Sequence, residues 1–152
     1  MEGRESMDSN ILNVYNLIQE LSWYFGDQGF IVDSCCDDLS LIEFMALKKA
    51  NERKSITILS VGNELNITKS GASKIVNRLE RKGYIMRVKS PLDGRVCCVR
   101  ITEKGKGVIG NIEDKYLEYV KETLKDLDPE TVGSIKTSLE ILVSSVHKQG
   151  FI

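Results

Sequence analysis

The side chains most able to do chemistry in this 152-residue chain are four cysteines and one histidine. The cysteines form two adjacent pairs, Cys35-Cys36 and Cys97-Cys98, which match neither a C-x-x-C spacing nor a dense disulfide framework. A metal or redox site needs thiolates that converge, whereas neighbouring strand residues such as Cys97 and Cys98 point to opposite faces. We therefore predict reduced, structural or incidental cysteines, with no metal and no cofactor. His147, on the last predicted helix, is expected at the surface or in an interface.

Motifs typical of enzymes are missing from the sequence. It has no G-x-S-x-G nucleophile motif, no phosphate-binding loop and no constellation of His, Cys and carboxylate residues. A single histidine also leaves little material for general acid-base catalysis. We predict that the chain has no catalytic residues and is not an enzyme.

A second set of side chains could bind an anionic partner. After residue 67, polar and basic residues recur at helical spacing on the face opposite an apolar stripe, which predicts one exposed and one buried helix face. Hydroxyls at a helix start can contact phosphates and base edges, and Lys and Arg neutralise phosphates or reach guanine. A solvated helix face is the alternative. The residues of this face predicted to contact DNA are Thr68, Lys69, Ser70, Ser73, Lys74, Asn77, Arg78 and Arg81.

The distribution of charge favours the DNA interpretation over a merely solvated face. The whole chain has a formal charge of -1 and a pI near 5.9. From Lys69 to Lys104, however, ten Lys and Arg residues face three acidic ones, a net +7, so the rest of the chain carries -8. A basic segment on an acidic body can orient a polyanion.

The sequence after Gly83 has the period of a β-hairpin rather than a helix. Residues 84–90 and 95–101 are rich in β-branched or aromatic residues and flank the turn sequence P-L-D-G. At its tip, Arg95 could enter a narrow minor groove, and Asp93 could orient it through a charge-assisted hydrogen bond. An ordinary Asp-Gly turn with an exposed Arg is the alternative. Lys89, Asp93 and Arg95 complete the predicted DNA-binding set.

Apolar spacing predicts the helices that must position these residues. We expect helices over about 9–26, from Ser40 to about 51–54, two short helices joined by a tight turn, and long helices over 102–127 and 129–148. Ser40 and Glu43 have capping-box spacing, and Phe44, Met45 and Leu47 are the predicted apolar face of their helix. Gly62, within the first short helix, predicts that the next helix crosses it closely.

The outer helices carry apolar stripes that flank a small central unit in sequence. We expect the stripes to pack against each other and against a second copy of the chain, as in two-fold dimers. The residues predicted for dimerisation are Ile11, Ile18, Leu21, Val132, Ile135, Leu139, Leu142 and Val146.

Residues 39 to about 107 resemble the MarR (multiple antibiotic resistance regulator) family. "LSLIEFMALKKANE" is similar to its second helix, "ITILSVGNELNITKSGASKIVNRLERKGYIMRV" to its helix-turn-helix, and "SPLDGRVCCVRITEKGK" to its wing and the hinge that follows. Asp93-Gly94-Arg95 and Thr102-Glu103-Lys104-Gly105 match its D-x-R and T-x-x-G elements. Gly71 and Gly94 depart from the residues more usual in the family, so base preference and wing stiffness do not carry over.

The resemblance implies a mainly α fold with a small β hairpin, in which a winged helix-turn-helix core is flanked by N- and C-terminal dimerisation helices. The implied regions are 1–38 and 103–152 for dimerisation and 39–102 for DNA binding. The expected function is a sequence-specific DNA-binding transcriptional regulator, a repressor released by a small-molecule effector. Its partners would be double-stranded DNA with a pseudo-palindromic operator and a second copy of itself. A winged-helix module that binds protein or RNA is the alternative.

A regulator of this kind could bind a small aromatic effector near Trp23, Tyr24, Phe44 and Met45, although apolar residues at such spacing usually form a core. No apolar run approaches the roughly 20 residues that cross a bilayer. We therefore expect a cytoplasmic protein without a membrane partner.

Overall fold

The computed structural model describes residues 2–25, 39–53, 55–90 and 93–149. Internal contacts divide the chain into two units, residues 1–41 and 42–152, and each is described by itself. The first unit contains helix α1 (Glu2–Phe25). It begins seven residues before the predicted start, because residues 2–8 include good helix formers but lack the apolar spacing on which the prediction depended. Along α1, Ile11, Ile18 and Leu21 are exposed.

The second unit starts within α2 (Leu41–Glu52) and contains most of the predicted DNA-binding elements. The elements in chain order are β1 (Ile56–Thr57), α3 (Ile58–Glu64), α4 (Lys69–Arg81), β2 (Ile85–Lys89), β3 (Cys97–Ile101), α5 (Glu103–Leu124) and α6 (Pro129–Lys148). The predicted fold class, mainly helical with a small β hairpin in a winged helix-turn-helix, is confirmed. None of the described helices is long and apolar enough to cross a membrane.

The sheet has one strand more than the sequence predicts. Strands β2 and β3 form the expected antiparallel hairpin, with Arg87 opposite Val99. Strand β1 adds to the other edge of β3, with Ile56 also opposite Val99, to give the order β1-β3-β2. A two-residue strand is too short to show a period of two, which is why it was missed.

The helix-turn-helix forms as predicted because a tight turn joins α3 to α4. Asn66 adopts the left-handed conformation, with φ 51°, and the Ile67 N–H donates to the Gly62 carbonyl at 2.9 Å. Gly62 is buried, and a Cβ there would lie 3.1 Å from the Ile67 carbonyl oxygen and 3.5 Å from the Ala72 Cβ. The predicted close crossing at Gly62 is confirmed.

Both ends of α4 are capped. The Thr68 hydroxyl accepts a hydrogen bond from the Gly71 N–H at 3.0 Å. At the other end Gly83, with φ 75°, allows Tyr84 to donate back to the Leu79 carbonyl at 3.0 Å, which completes a Schellman motif. The apolar stripe of α4 is buried as predicted, and its members are Ala72, Ile75, Val76 and Leu79.

Helix α2 corrects one core assignment. Phe44 and Leu47 are buried as predicted, but Met45 is 37% exposed. Met45 lies on the opposite side of the helix from the buried set, which also includes Glu43, Ala46 and Ala50. The prediction of Met45 on the apolar face was therefore wrong, because small and charged residues shift the buried stripe away from it.

The C-terminal helices differ in how much they bury within one chain. Helix α5 buries Ile109 and Ile112 and ends at Leu124, three residues before the predicted end. Helix α6 starts as predicted at Pro129 after the N-cap Asp128, but buries none of its residues. Leu139 in the middle of its apolar stripe is 46% exposed. This stripe is thus available to a partner.

Candidate nucleic-acid interface

The outward side of α4 carries most of the residues predicted to contact DNA. Ser73 and Arg78 are half-buried, and the other members of the set are exposed: Thr68, Lys69, Ser70, Lys74, Asn77 and Arg81. The buried Ala72, Ile75, Val76 and Leu79 fix this face relative to the core. Helix α4 is therefore amphipathic in the way a groove-binding helix requires.

Most of the positive charge in the basic segment is available to a partner. Six of the ten Lys and Arg residues between 69 and 104 are exposed and form no ion pair with any described residue: Lys69, Lys74, Arg81, Lys89, Arg95 and Arg100. The other four bond within the protein. Helix α4 and the hairpin thus present unpaired cations from a single unit of the chain.

Arg87 ties the hairpin to α4, a link that the sequence did not reveal. Its guanidinium donates to the Glu80 carboxylate at 2.8 Å and to the Asn77 carbonyl oxygen at 2.5 Å. Asn77 was predicted to contact DNA. Its oxygen is engaged by Arg87, whereas its amide N–H groups remain to donate to a base edge.

Arg78 and Lys82 both bond to Glu43, which lies on α2. The Arg78 Nε donates to one carboxylate oxygen at 2.5 Å and the Lys82 Nζ to the other at 3.0 Å. Glu43 was interpreted only as a capping-box residue. The spacing of 35 residues between Glu43 and Arg78 gives no local signal for such a contact.

At the hairpin tip, Asp93 bonds to the backbone of Arg95 rather than to its side chain. The Arg95 N–H donates to Asp93 Oδ1 at 2.9 Å, as in an Asx turn. The predicted charge-assisted bond to the guanidinium is therefore wrong, since the carboxylate instead stabilises the turn. The Arg95 side chain is exposed and has no ion pair among the described residues.

The base of the hairpin is joined to the C-terminal end of α4. The Thr102 hydroxyl donates to the Gly83 carbonyl at 2.7 Å, and the Lys104 Nζ to the Lys82 carbonyl at 2.8 Å. Two cations of the strands, Lys89 on β2 and Arg100 on β3, line an open cleft of about 690 Å³. The hairpin is therefore braced against the helix that it flanks.

Two of the four cysteines fall on described residues. Cys97 is exposed, Cys98 is buried, and both are free thiols. Cys35 and Cys36 lie outside the described residues. Within the described part of the chain no three His, Cys, Asp or Glu residues come together as a metal site would require. His147 is exposed on α6.

The residues proposed for an effector pocket belong to different units. Trp23 and Tyr24 are exposed on α1, whereas Phe44 is buried and Met45 exposed on α2. The pocket remains a prediction.

The MarR family model matches residues 39–97, which hold the helix-turn-helix and most of the hairpin. Over these residues the chain is similar to the MarR family. Two relatives are helix-turn-helix transcriptional regulators: BilQ of Clostridioides difficile, 28% identical over 100 residues, and MhqR of Bacillus subtilis, 28% identical over 94. The BilQ match covers 59% of this chain and 68% of BilQ, and the MhqR match 62% and 65%. Since the family is one of transcriptional regulators, the prediction that the chain is not an enzyme is confirmed.

Solved structures show the MarR fold over nearly the whole chain. A MarR family protein from Bacillus stearothermophilus has a TM-score of 0.78 at 20% identity, covering 94% of this chain and 97% of that one. Streptococcus pneumoniae FabT, solved in complex with DNA, has a TM-score of 0.69 at 22% identity, covering 96% and 99%. Identities this low establish the fold alone.

Proposed function

We propose that this protein is a sequence-specific DNA-binding transcriptional regulator that acts as a homodimer. The observation that carries the proposal is the set of six exposed, unpaired cations on α4 and the hairpin of an otherwise acidic chain. Unpaired Lys and Arg gain most from phosphate contacts, because no internal salt bridge has to break first. The complex of FabT with DNA supports the same partner here.

The two elements divide the work of binding in this proposal. Helix α4 enters the major groove with Ser70, Ser73 and Lys74 facing the base edges. The pattern of donors and acceptors in this groove distinguishes every base pair. The hairpin is the wing. Its Arg95 reaches the flanking backbone or minor groove, which displays less sequence information.

A dimer supplies two such surfaces. The exposed stripe of α6, with Leu139 at its centre, and the exposed apolar residues of α1 support pairing with a second copy. A two-fold dimer places two α4 helices on one face of DNA, so the preferred operator is a pseudo-palindrome.

The regulatory part of the proposal is repression that a small aromatic effector relieves. Trp23 and Tyr24 support aromatic ligand binding, because both are exposed on α1 and can stack on a planar molecule. Trp23 is the only tryptophan in the chain, so its fluorescence reports directly on this region. Ligands that quench Trp23 should also weaken DNA binding; quenching without any change in DNA affinity would contradict effector control.

The proposed DNA binding is tested by selecting bound sequences from a random double-stranded pool. We expect enrichment of a pseudo-palindrome and an affinity for it that falls steeply with salt. A matched RNA duplex serves as the competitor control. No enrichment, or equal binding of RNA, would favour the protein- or RNA-binding module instead.

A further inference from the structure

Glu43 is the one charged residue that is buried among the described residues, at 3% exposure. It lies on α2, yet both of its carboxylate oxygens accept hydrogen bonds from the end of α4, through Arg78 Nε at 2.5 Å and Lys82 Nζ at 3.0 Å. An isolated buried carboxylate is unfavourable, whereas one held by two cations is compensated. The contact therefore helps to fix the position of α4 relative to α2.

The same contact removes positive charge from the DNA-facing helix. The Lys82 side chain is only 23% exposed and that of Arg78 43%, whereas the unpaired Lys74 on the same helix is exposed. A phosphate that approaches Arg78 or Lys82 has to compete with a carboxylate already in contact, at a site where low polarity strengthens the internal pair. Glu43 neutralises these two cations in the way that a bound phosphate would.

We propose that Glu43 is a positioning residue that withholds Arg78 and Lys82 from DNA phosphates and so limits the DNA affinity of the recognition helix. This inference rests on the proposed function of α4. Phosphate contacts carry no sequence information. Glu43 therefore sets how tightly the protein binds any DNA and leaves the sequence preference to the exposed face of α4.

The test is the Glu43→Gln variant, which keeps the shape of the side chain and one oxygen acceptor but removes the charge. At low salt it should bind operator and scrambled DNA more tightly than wild type by the same factor. Each added phosphate contact should steepen the salt slope by about one unit, so the advantage over wild type should shrink by about threefold per contact between 50 and 200 mM salt. Unchanged affinity and slope, in a folded protein, would overturn the proposal.

A matched control removes the same charge elsewhere. Glu113→Gln on α5 also frees a lysine, Lys48 of α2, from an ion pair of 3.2 Å. The proposal predicts that Glu113→Gln leaves the salt slope at the wild-type value. If it steepens the slope as much as Glu43→Gln does, the effect is one of net charge, and Glu43 has no special role.

A second comparison keeps the proposal testable if Glu43→Gln does not fold. Arg78→Gln should flatten the salt slope much less than Lys74→Gln, because Arg78 is already neutralised and Lys74 is not. Equal flattening would overturn the proposal. Failure of the underlying function looks different, since wild-type protein would then show no salt-dependent DNA binding at all.

Discussion

Single atoms decide how the wing is attached to the recognition helix. Gly105, in the first turn of α5, lies against the strand that leaves α4: a Cβ at this position would be 2.2 Å from the Tyr84 carbonyl oxygen and 2.8 Å from the Ile101 side chain. The same Tyr84 carbonyl accepts a hydrogen bond from the Thr102 N–H at 3.0 Å. The backbone of Tyr84 cannot move aside as the end of a flexible side chain can. Only glycine therefore fits at position 105.

Gly105→Ala should therefore destabilise the second unit despite the better helix propensity of alanine. Overpacking of this kind costs about 1–3 kcal/mol. Gly107→Ala, two residues along the same helix, is the control, because nothing lies within 4 Å of a Cβ there and the change should stabilise by up to about 1 kcal/mol. Urea denaturation of both variants measures the difference. Equal stabilities would mean that the backbone at Gly105 can move away.

At the scale of single residues, the sequence predicts which side chains are exposed but not which other residues of the chain they bond to. The face of α4 follows from a period of 3.6 residues, and its exposed and buried sides were predicted. The Glu43 contact with Arg78 and the Arg87 contact with Asn77 join residues on different elements, and only their packing brings them together. Asp93 was assigned the wrong partner because its turn geometry favours the backbone N–H.

At the scale of the elements, the local sequence determines the helix ends more directly than any other feature. Thr68, Thr102 and Asp128 each accept a hydrogen bond from the N–H three residues later, and Gly83 ends α4 in the left-handed conformation. These signals are local, which explains why the helix order could be predicted. Strand β1 could not, because its two residues are defined by pairing with β3, more than 40 residues away.

The N-cap Asp128 makes the start of α6 sensitive to acid. The hydroxyl of Thr131 donates to this carboxylate, and so does the Thr131 N–H. Both hydrogen bonds lower the pKa of Asp128 below 3.8, and that from the hydroxyl has the larger effect. Its contribution to stability is present above 3.8 and is lost as the pH falls through the lower folded value. Asp128→Ala should lower the urea midpoint at neutral pH, and the difference from wild type should narrow in acid.

The control for this cap is Asp126→Ala, which removes the same charge two residues earlier without removing the cap. It should leave the urea midpoint close to the wild-type value. If both variants lose the same stability, charge rather than capping is responsible.

At the scale of the whole molecule, the proposed recognition of a two-fold operator depends on a second copy of the chain. Helix α6 buries none of its residues in a single chain, and its groove against Leu124 is lined by apolar Val132, Ile135, Leu139 and Val143. Such a surface is costly to leave in water. The sequence predicted the stripe, but one chain does not contain what covers it.

Leu139→Asp should break the dimer. A carboxylate without a partner in an apolar interface costs about 3 kcal/mol or more, so the dissociation constant should rise at least about a hundredfold. Thr137→Asp adds the same charge to the opposite side of α6 and should leave the dimer intact. Sedimentation equilibrium at micromolar concentration distinguishes them; a monomeric wild type, or a dimer that tolerates Leu139→Asp, would remove the basis for a two-fold operator.

DNA binding by the exposed face of α4 is best measured through the salt dependence of affinity for a selected operator, in wild type, Lys74→Gln and Lys121→Gln. Lys74 is exposed on α4 and Lys121 on α5, so the two variants lose the same charge from different surfaces. We predict that Lys74→Gln flattens the slope of log affinity against log salt by about two units per dimer and that Lys121→Gln leaves it unchanged. Identical slopes for all three folded proteins would contradict the account.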